Sequence, residues 1–172
     1  ELVWDKSPAQ LELENEKRLK RLGVAKEQLR EFADLELCSL TEKTQFCILL
    51  ESLGEAKGTA VLVELLFGAE DSQDVKLLLR TIELLAVYHE EVARIDEISL
   101  ARGLIIASSS NGYKVLPVAA DYLHWTSLVA EALLSKELEF DKREVWVSGQ
   151  VSSIARMRLN RHGWQVFDKR ED

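Results

Sequence analysis

Asp121 and His124 stand three residues apart. At that spacing an acid and an imidazole on one helix face can meet and activate a hydroxyl. A small hydrolase built on the pair would draw its nucleophile from Ser108, Ser109, Ser110 or a distant residue, and no G-x-S-x-G elbow is present. Asp121 serving as a helix N-cap explains the same residues more simply. A second constellation is the run Ser148-Gly149-Gln150-Val151-Ser152-Ser153, followed by Arg156, Arg158 and Arg161. Backbone N–H groups at a strand-to-helix turn can hold an anion. Residues 145–170 carry five bases against one acid, Asp168, for a net charge of +4. The glycines and lysine of a P-loop are missing, as is G-x-G-x-x-G, so an ordinary turn before a solvated basic helix is the plainer account.

Two further groups invite metal or redox chemistry. His89 lies in Tyr88-His89-Glu90-Glu91, four residues after Leu85 and seven after Ile82. That places it on an apolar helical stripe, where a hydrogen-bonded structural histidine is favoured over a ligand. No H-E-x-x-H spacing occurs. Cys38 and Cys47 are nine residues apart, too wide for a C-x-x-C pair, and Cys47 in Phe46-Cys47-Ile48-Leu49-Leu50 fits a small buried residue. A disulfide between them stays open, since sequence does not fix their separation.

The elements that must carry these groups divide the chain into an expected helical part, 1–100, and a mixed part, 101–172, with one compact unit of both as the alternative. Ser7-Pro8-Ala9-Gln10 predicts a capped first helix ending at Gly23. Short helices are expected over 25–35, from a Thr41 cap to Leu53, and over 59–67 before Gly68. A long helix follows Asp71 and runs to about Arg94, with Val75, Leu78, Ile82, Leu85 and Val92 on its apolar stripe and Leu77 and Leu84 on another side. Such a helix reads as the spine of the core. In the mixed part, Asn111-Gly112 between β-prone runs predicts a hairpin, with Pro117 ending its second strand or placing it at an edge. A helix is expected to open near Asp121, then a charged linker over 136–143. Val145-Trp146-Val147, a helix capped by Ser152 or Ser153, and Trp164-Gln165-Val166-Phe167 complete a β-β-α-β-α-β pattern. The expected class is α+β, a four-stranded sheet with helices on one face burying its tryptophans.

Leu53-Gly54-Glu55-Ala56, Leu62, Leu65-Leu66, Glu70-Asp71, Val75 and Arg80 together resemble a HEAT-type helical repeat over about 35 residues. The usual first-helix proline is missing, and Lys76 stands where arginine is commoner. The resemblance implies paired helices joined by an acidic turn, and lends weight to a binding role.

Composition narrows the function. The 172 residues hold 8 Gly and 2 Pro, which fits a packed chain. No apolar run approaches the roughly 18–20 residues of a membrane span. Residues 1–99 carry 21 acids and 12 bases, net −9, while residues 100–172 carry 9 acids and 10 bases, net +1. An acidic helical half disfavours nucleic acid. The chain begins at Glu1, as expected if an initiator, tag or targeting segment were removed, so cytoplasmic and exported settings both stay open. The expected function is a non-catalytic protein-interaction module of adaptor, assembly or regulatory type, with a protein partner and no cofactor or metal. One alternative is a small-anion or nucleotide sensor using Ser148, Ser152, Ser153, Arg156 and Arg158. The other is the hydrolase around Asp121 and His124.

Overall fold

A computed structural model describes residues 6–169. Local signals set the helices. Helix α1 (Pro8–Arg21) carries the expected capping box: the Ser7 amide donates to Gln10 Oε1 at 2.8 Å, and Ser7 Oγ accepts the Gln10 amide at 3.4 Å. Helix α2 (Lys26–Asp34) buries Leu29 and Phe32. Helix α3 (Leu40–Ser52) starts at Ser39 rather than Thr41. Glu42, three residues on, completes the box with Ser39 and no residue does so for Thr41. Hydrogen bonds from the Ser39 hydroxyl and amide hold the Glu42 carboxyl below its usual range.

Helix α4 (Ala60–Phe67) stops at Gly68, and α5 (Ser72–Glu91) starts at Asp71, whose carboxylate accepts the Gln73 and Asp74 amides. The two form the helix pair with an acidic joining turn that the repeat resemblance implies. Helix α5 is the spine: Val75, Leu78, Leu79, Ile82, Leu85 and Tyr88 are buried. Each apolar side chain so placed contributes about 1.5–3 kcal/mol. The helix ends three residues before Arg94, and Val92, expected on the stripe, is exposed. Among the described residues no helix is long and apolar enough to cross a membrane.

The strands begin sooner than the helical pattern suggests. They are β1 (Ile95–Ala101), β2 (Leu104–Ser109), β3 (Lys114–Val118), β4 (Tyr122–Leu123), β5 (Arg143–Val147), β6 (Gln150–Val151) and β7 (Trp164–Asp168). Five form one sheet in the order β1-β2-β3-β5-β7, antiparallel up to β3 and parallel beyond it. Strands β4 and β6 pair separately. The β1–β2 hairpin closes at Arg102-Gly103, both with positive φ (52° and 76°), the geometry of a tight two-residue turn. At Asn111-Gly112 only the glycine takes positive φ, and Asn111 instead accepts the Tyr113 amide on its side chain at 3.2 Å. The loop there is correspondingly longer. Pro117 lies inside β3, the middle strand, rather than at an edge or strand end. The register with β2 stops at Val115, so the missing proline N–H costs that ladder nothing.

Strand alternation sends side chains to two cores. Ala107, Val115 and Trp146 join the helical core of α1–α5. Ile106, Leu116, Val145, Val147 and Trp164 face the other way, against Leu133, Leu138 and Leu159. Leu133 belongs to α6 (Ser127–Leu133), which is capped by Thr126, so the helix expected to open near Asp121 begins later, after β4. Leu138 ends a single 3-10 turn (Lys136–Leu138) and is fully buried, within the stretch expected to be a charged linker. Leu159 lies on α7 (Ser153–Arg161), capped by Ser152. The protein is therefore α+β, with helices on both sheet faces. Trp164 donates its indole N–H to the Leu133 carbonyl at 3.1 Å, whereas Trp146 packs against α5. The β-β-α-β-α-β order runs from β2 to β7, with β1 ahead of it and the β4–β6 pair inserted.

Candidate functional site

The Ser148–Ser153 turn is held by its own surroundings. The amides of Ser148, Gln150 and Ser152 donate to the carbonyls of Val118, Asp121 and Leu123 at 3.0 Å each. The Val151 amide donates to Asp168 Oδ2 at 2.9 Å. Arg156 reaches Asp168 Oδ1 at 2.5 Å and the Val166 carbonyl at 3.0 Å. Ser152 Oγ caps α7 by accepting the Ala155 amide. A carboxylate of the chain thus occupies the space between the turn and Arg156. Ser153 and Arg158 are exposed on α7. Gly149 is required because a Cβ there would lie 2.1 Å from the Asp121 carbonyl oxygen.

Asp121 and His124 flank β4 rather than sharing a helix face. Asp121 pairs with Arg80 at 2.7 Å, and the His124 ring lies 4.4 Å from that of Tyr122. Ser108, Ser109 and Ser110 lie at the opposite end of β3, a strand of five residues and roughly 16 Å. His89 is half-buried, and its Nδ1 accepts the Ile95 amide at 3.1 Å. Cys38 and Cys47 are both free and buried, and burial pushes both thiols up, Cys47 to about 12. Among the described residues no group of three or more His, Cys, Asp or Glu could hold a metal ion.

One predicted residue leads to a larger feature. Ser148, at the end of β5, accepts a hydrogen bond from Arg80 of α5 at 3.2 Å. Eight residues along α5, Tyr88 meets Trp146 edge-on, with ring centroids 5.3 Å apart. These two contacts tie α5 to β5 and the residue after it, with Leu84 one turn from each. Beyond the helix, the β5–β7 part of this sheet face remains open. Trp146 stacks on Phe167 of β7, centroids 4.6 Å apart and planes 16° from parallel. Phe167 is 37% exposed, and on α5 Leu77 and Val87 are 51% and 41% exposed. One step along the strands, Gln165 Nε2 donates to Tyr113 Oη at 3.1 Å. Between those strands, Trp146 Nε1 donates to Glu144 Oε2 at 2.9 Å.

The sheet edges are less open than this face. Arg156 covers the Val166 carbonyl of β7, while Lys57 exchanges backbone hydrogen bonds with Asp96 and Ile98 of β1 at 2.9 and 2.8 Å. A cavity of about 1000 Å³ lies between α1, α2 and the start of α3, and both acids (Glu12, Glu16) and bases (Lys20, Arg30) line it. It gathers no convergent set of chemical groups. Sequence inspection passed over Glu144, Gln165 and Phe167. The available signal was the period of two in Glu144-Val145-Trp146 and Gln165-Val166-Phe167, which puts a polar and an aromatic residue on one face of each strand. No protein-family model matches the chain, and neither a curated protein nor a solved structure matches it.

Proposed function

We propose that this protein is a non-catalytic interaction module that docks a partner protein on the open sheet face beside α5. The observation carrying this is the Trp146–Phe167 stack, with Phe167 at the surface and the exposed apolar residues Leu77 and Val87 on the adjoining helix. Aromatic side chains grouped at a surface supply contact area at low entropy cost and are enriched in interface cores. Exposed Glu83, Glu90 and Glu91 on α5, with the net −9 of residues 1–99, favour a basic partner and faster encounter with it. The small-anion and hydrolase alternatives have less support. Asp168 already engages Arg156 and the Val151 amide, and β3 separates the serine cluster from Asp121.

The test is affinity capture with the wild-type chain, with Val87→Glu and Phe167→Glu, and with Leu128→Glu on α6 across the sheet. Circular dichroism checks that each variant is folded. A basic protein retained by wild type and Leu128→Glu but released by Val87→Glu and Phe167→Glu supports the reading. Equal retention by all four, or no specific partner, overturns it.

A further inference from the structure

We infer that Glu144 is the anchor for one arginine side chain of the docked partner, an inference that rests on the interaction role proposed above. Glu144 is 5% exposed, and among the described residues its one hydrogen-bond donor is the indole of Trp146. Among the described residues no cation lies within ion-pair distance of it. A carboxylate withdrawn from water is costly unless a cation or several donors compensate it, so such a group usually has a counterpart. Here the described residues supply one neutral donor, to Oε2, and the other carboxylate oxygen is not among the fully buried atoms without a hydrogen bond, so it keeps contact with solvent and stays within reach of a ligand. Register fixes what surrounds it: Glu144 stands opposite Val115 on β3 and Gln165 on β7. Tyr113, two residues before Val115, shares that face. The Gln165–Tyr113 hydrogen bond therefore spans the strand that carries Glu144.

That bridge is an exposed contact between neutral groups, and water or a ligand can replace it at little cost. A guanidinium entering there meets a carboxylate, the Gln165 amide oxygen, the Tyr113 hydroxyl and the exposed side of Phe167. This combination suits arginine: its planar fork pairs with a carboxylate and its face stacks on aromatic rings, whereas an ammonium offers only a point charge. The locality already attracts a cation, since Lys142 Nζ sits 5.7 Å above the Tyr113 ring. One carboxylate beside two neutral oxygens is poorly suited to a metal ion, and among the described residues no group of three or more His, Cys, Asp or Glu surrounds it.

The experiment titrates the full chain with acetyl-Gly-Arg-Gly-amide and follows the Trp146 indole N–H signal by NMR, assigned with Trp146→Phe. The citrulline and lysine versions of the peptide are run in parallel. Because that N–H is bonded to Glu144, it reports directly on the carboxylate. The expected result is a saturable shift with the arginine peptide, at least about tenfold weaker with citrulline and lost in Glu144→Gln. Glutamine keeps an oxygen for the indole, so the variant retains its fold. No saturable shift, equal binding of citrulline, or wild-type binding by Glu144→Gln each overturns the anchor. Partner capture that survives Glu144→Gln but not Val87→Glu also overturns it, and leaves the docking face standing. Arginine-peptide binding that needs Glu144, with partner capture lost in Glu144→Gln but unaffected by Val87→Glu and Phe167→Glu, supports the anchor and removes the apolar docking face.

Discussion

Tyr88 of α5 stands edge-on to Trp146 of β5, ring planes 88° apart, while its buried hydroxyl joins a polar circuit that reaches the surface at Asn111. That hydroxyl donates to Ser109 Oγ and accepts from Asn111 Nδ2, each at 3.3 Å, and Ser109 Oγ in turn donates to Asn111 Oδ1. One side chain thus joins the spine helix, the β2–β3 loop and the aromatic group of the proposed docking face. The loop containing Asn111-Gly112 is consequently tied into the core from behind.

Tyr88→Phe should cost about 1 kcal/mol, because it keeps the ring contact and removes one hydrogen-bonding group from the circuit. Tyr88→Ala should cost about 3–5 kcal/mol, since it also leaves a cavity beside Trp146. Urea unfolding checks both: the midpoint should fall in that order with an unchanged slope. Near-ultraviolet circular dichroism should change strongly only in the alanine variant. A phenylalanine variant as unstable as the alanine one would show that the circuit, and not the ring, carries the effect.

The helices were legible because their signals are local. Ser7 with Gln10, Asp71 ahead of α5 and the stop at Gly68 each act within four residues. What escaped depends on distant chain. Strand β4 is two residues long and exists through pairing with Gln150 and Val151, more than twenty residues later. Leu138 looks like part of a charged linker until the second core covers it. Strand β1 follows α5 after a short turn, and Arg102-Gly103 is a less familiar hairpin signal than Asn-Gly. Within the site, the sequence marks Ser148 as part of a turn whose backbone N–H groups could hold an anion, but the partner of its hydroxyl, Arg80, is 68 residues away. The burial of Glu144 has no sequence signature beyond its place two residues before Trp146. A charge at such a position is ordinarily solvated.

Arg156 and Arg158 should behave differently although sequence presents them as one basic pair. Arg156 links α7 to β7 through Asp168, whose side chain is 7% exposed, and through the Val166 carbonyl. Arg156→Ala should cost about 2 kcal/mol, less than a fully buried pair because the arginine keeps some solvent contact. Arg158→Ala, at an exposed helix position, should stay within about 0.5 kcal/mol of wild type. Thermal unfolding of the two variants at matched concentration checks the contrast. Equal losses would contradict a structural role specific to Arg156.

His89 should matter through the chain turn it closes. Its Nδ1 accepts the amide of Ile95, the first residue of β1 and a fully buried one. His89→Ala leaves that amide without its acceptor and should cost about 1–3 kcal/mol. Hydrogen exchange localises the effect: the Ile95 amide should exchange faster in the variant, while amides in α1 change only as global stability does. Unchanged protection at Ile95 would sink the assignment.

Cys47 should make stability fall at alkaline pH. Desolvation pushes its thiol from 9.0 to about 12, against a smaller opposing influence of Arg18. The unfolded chain releases this proton near pH 9, and the native protein keeps it until about pH 12. Between those values the native state binds more protons, so the free energy of unfolding decreases as pH rises. The slope from this group is about 1.4 kcal/mol per pH unit. Below the unfolded value both states hold the proton and the group contributes no pH dependence. Lysines and tyrosines also titrate in this window, so the measurement is a difference between wild type and Cys47→Ala, unfolded in urea at a series of pH values. The stability gap should be constant below about pH 8 and should narrow above pH 9 as wild type alone loses this increment. A gap that stays constant through pH 10 would show that the thiolate is tolerated inside the helical core. Native-state labelling provides a second check. A thiol reagent at pH 8 should leave Cys47 unmodified until denaturant is added, since the thiolate is the reactive form and the side chain has no exposed surface.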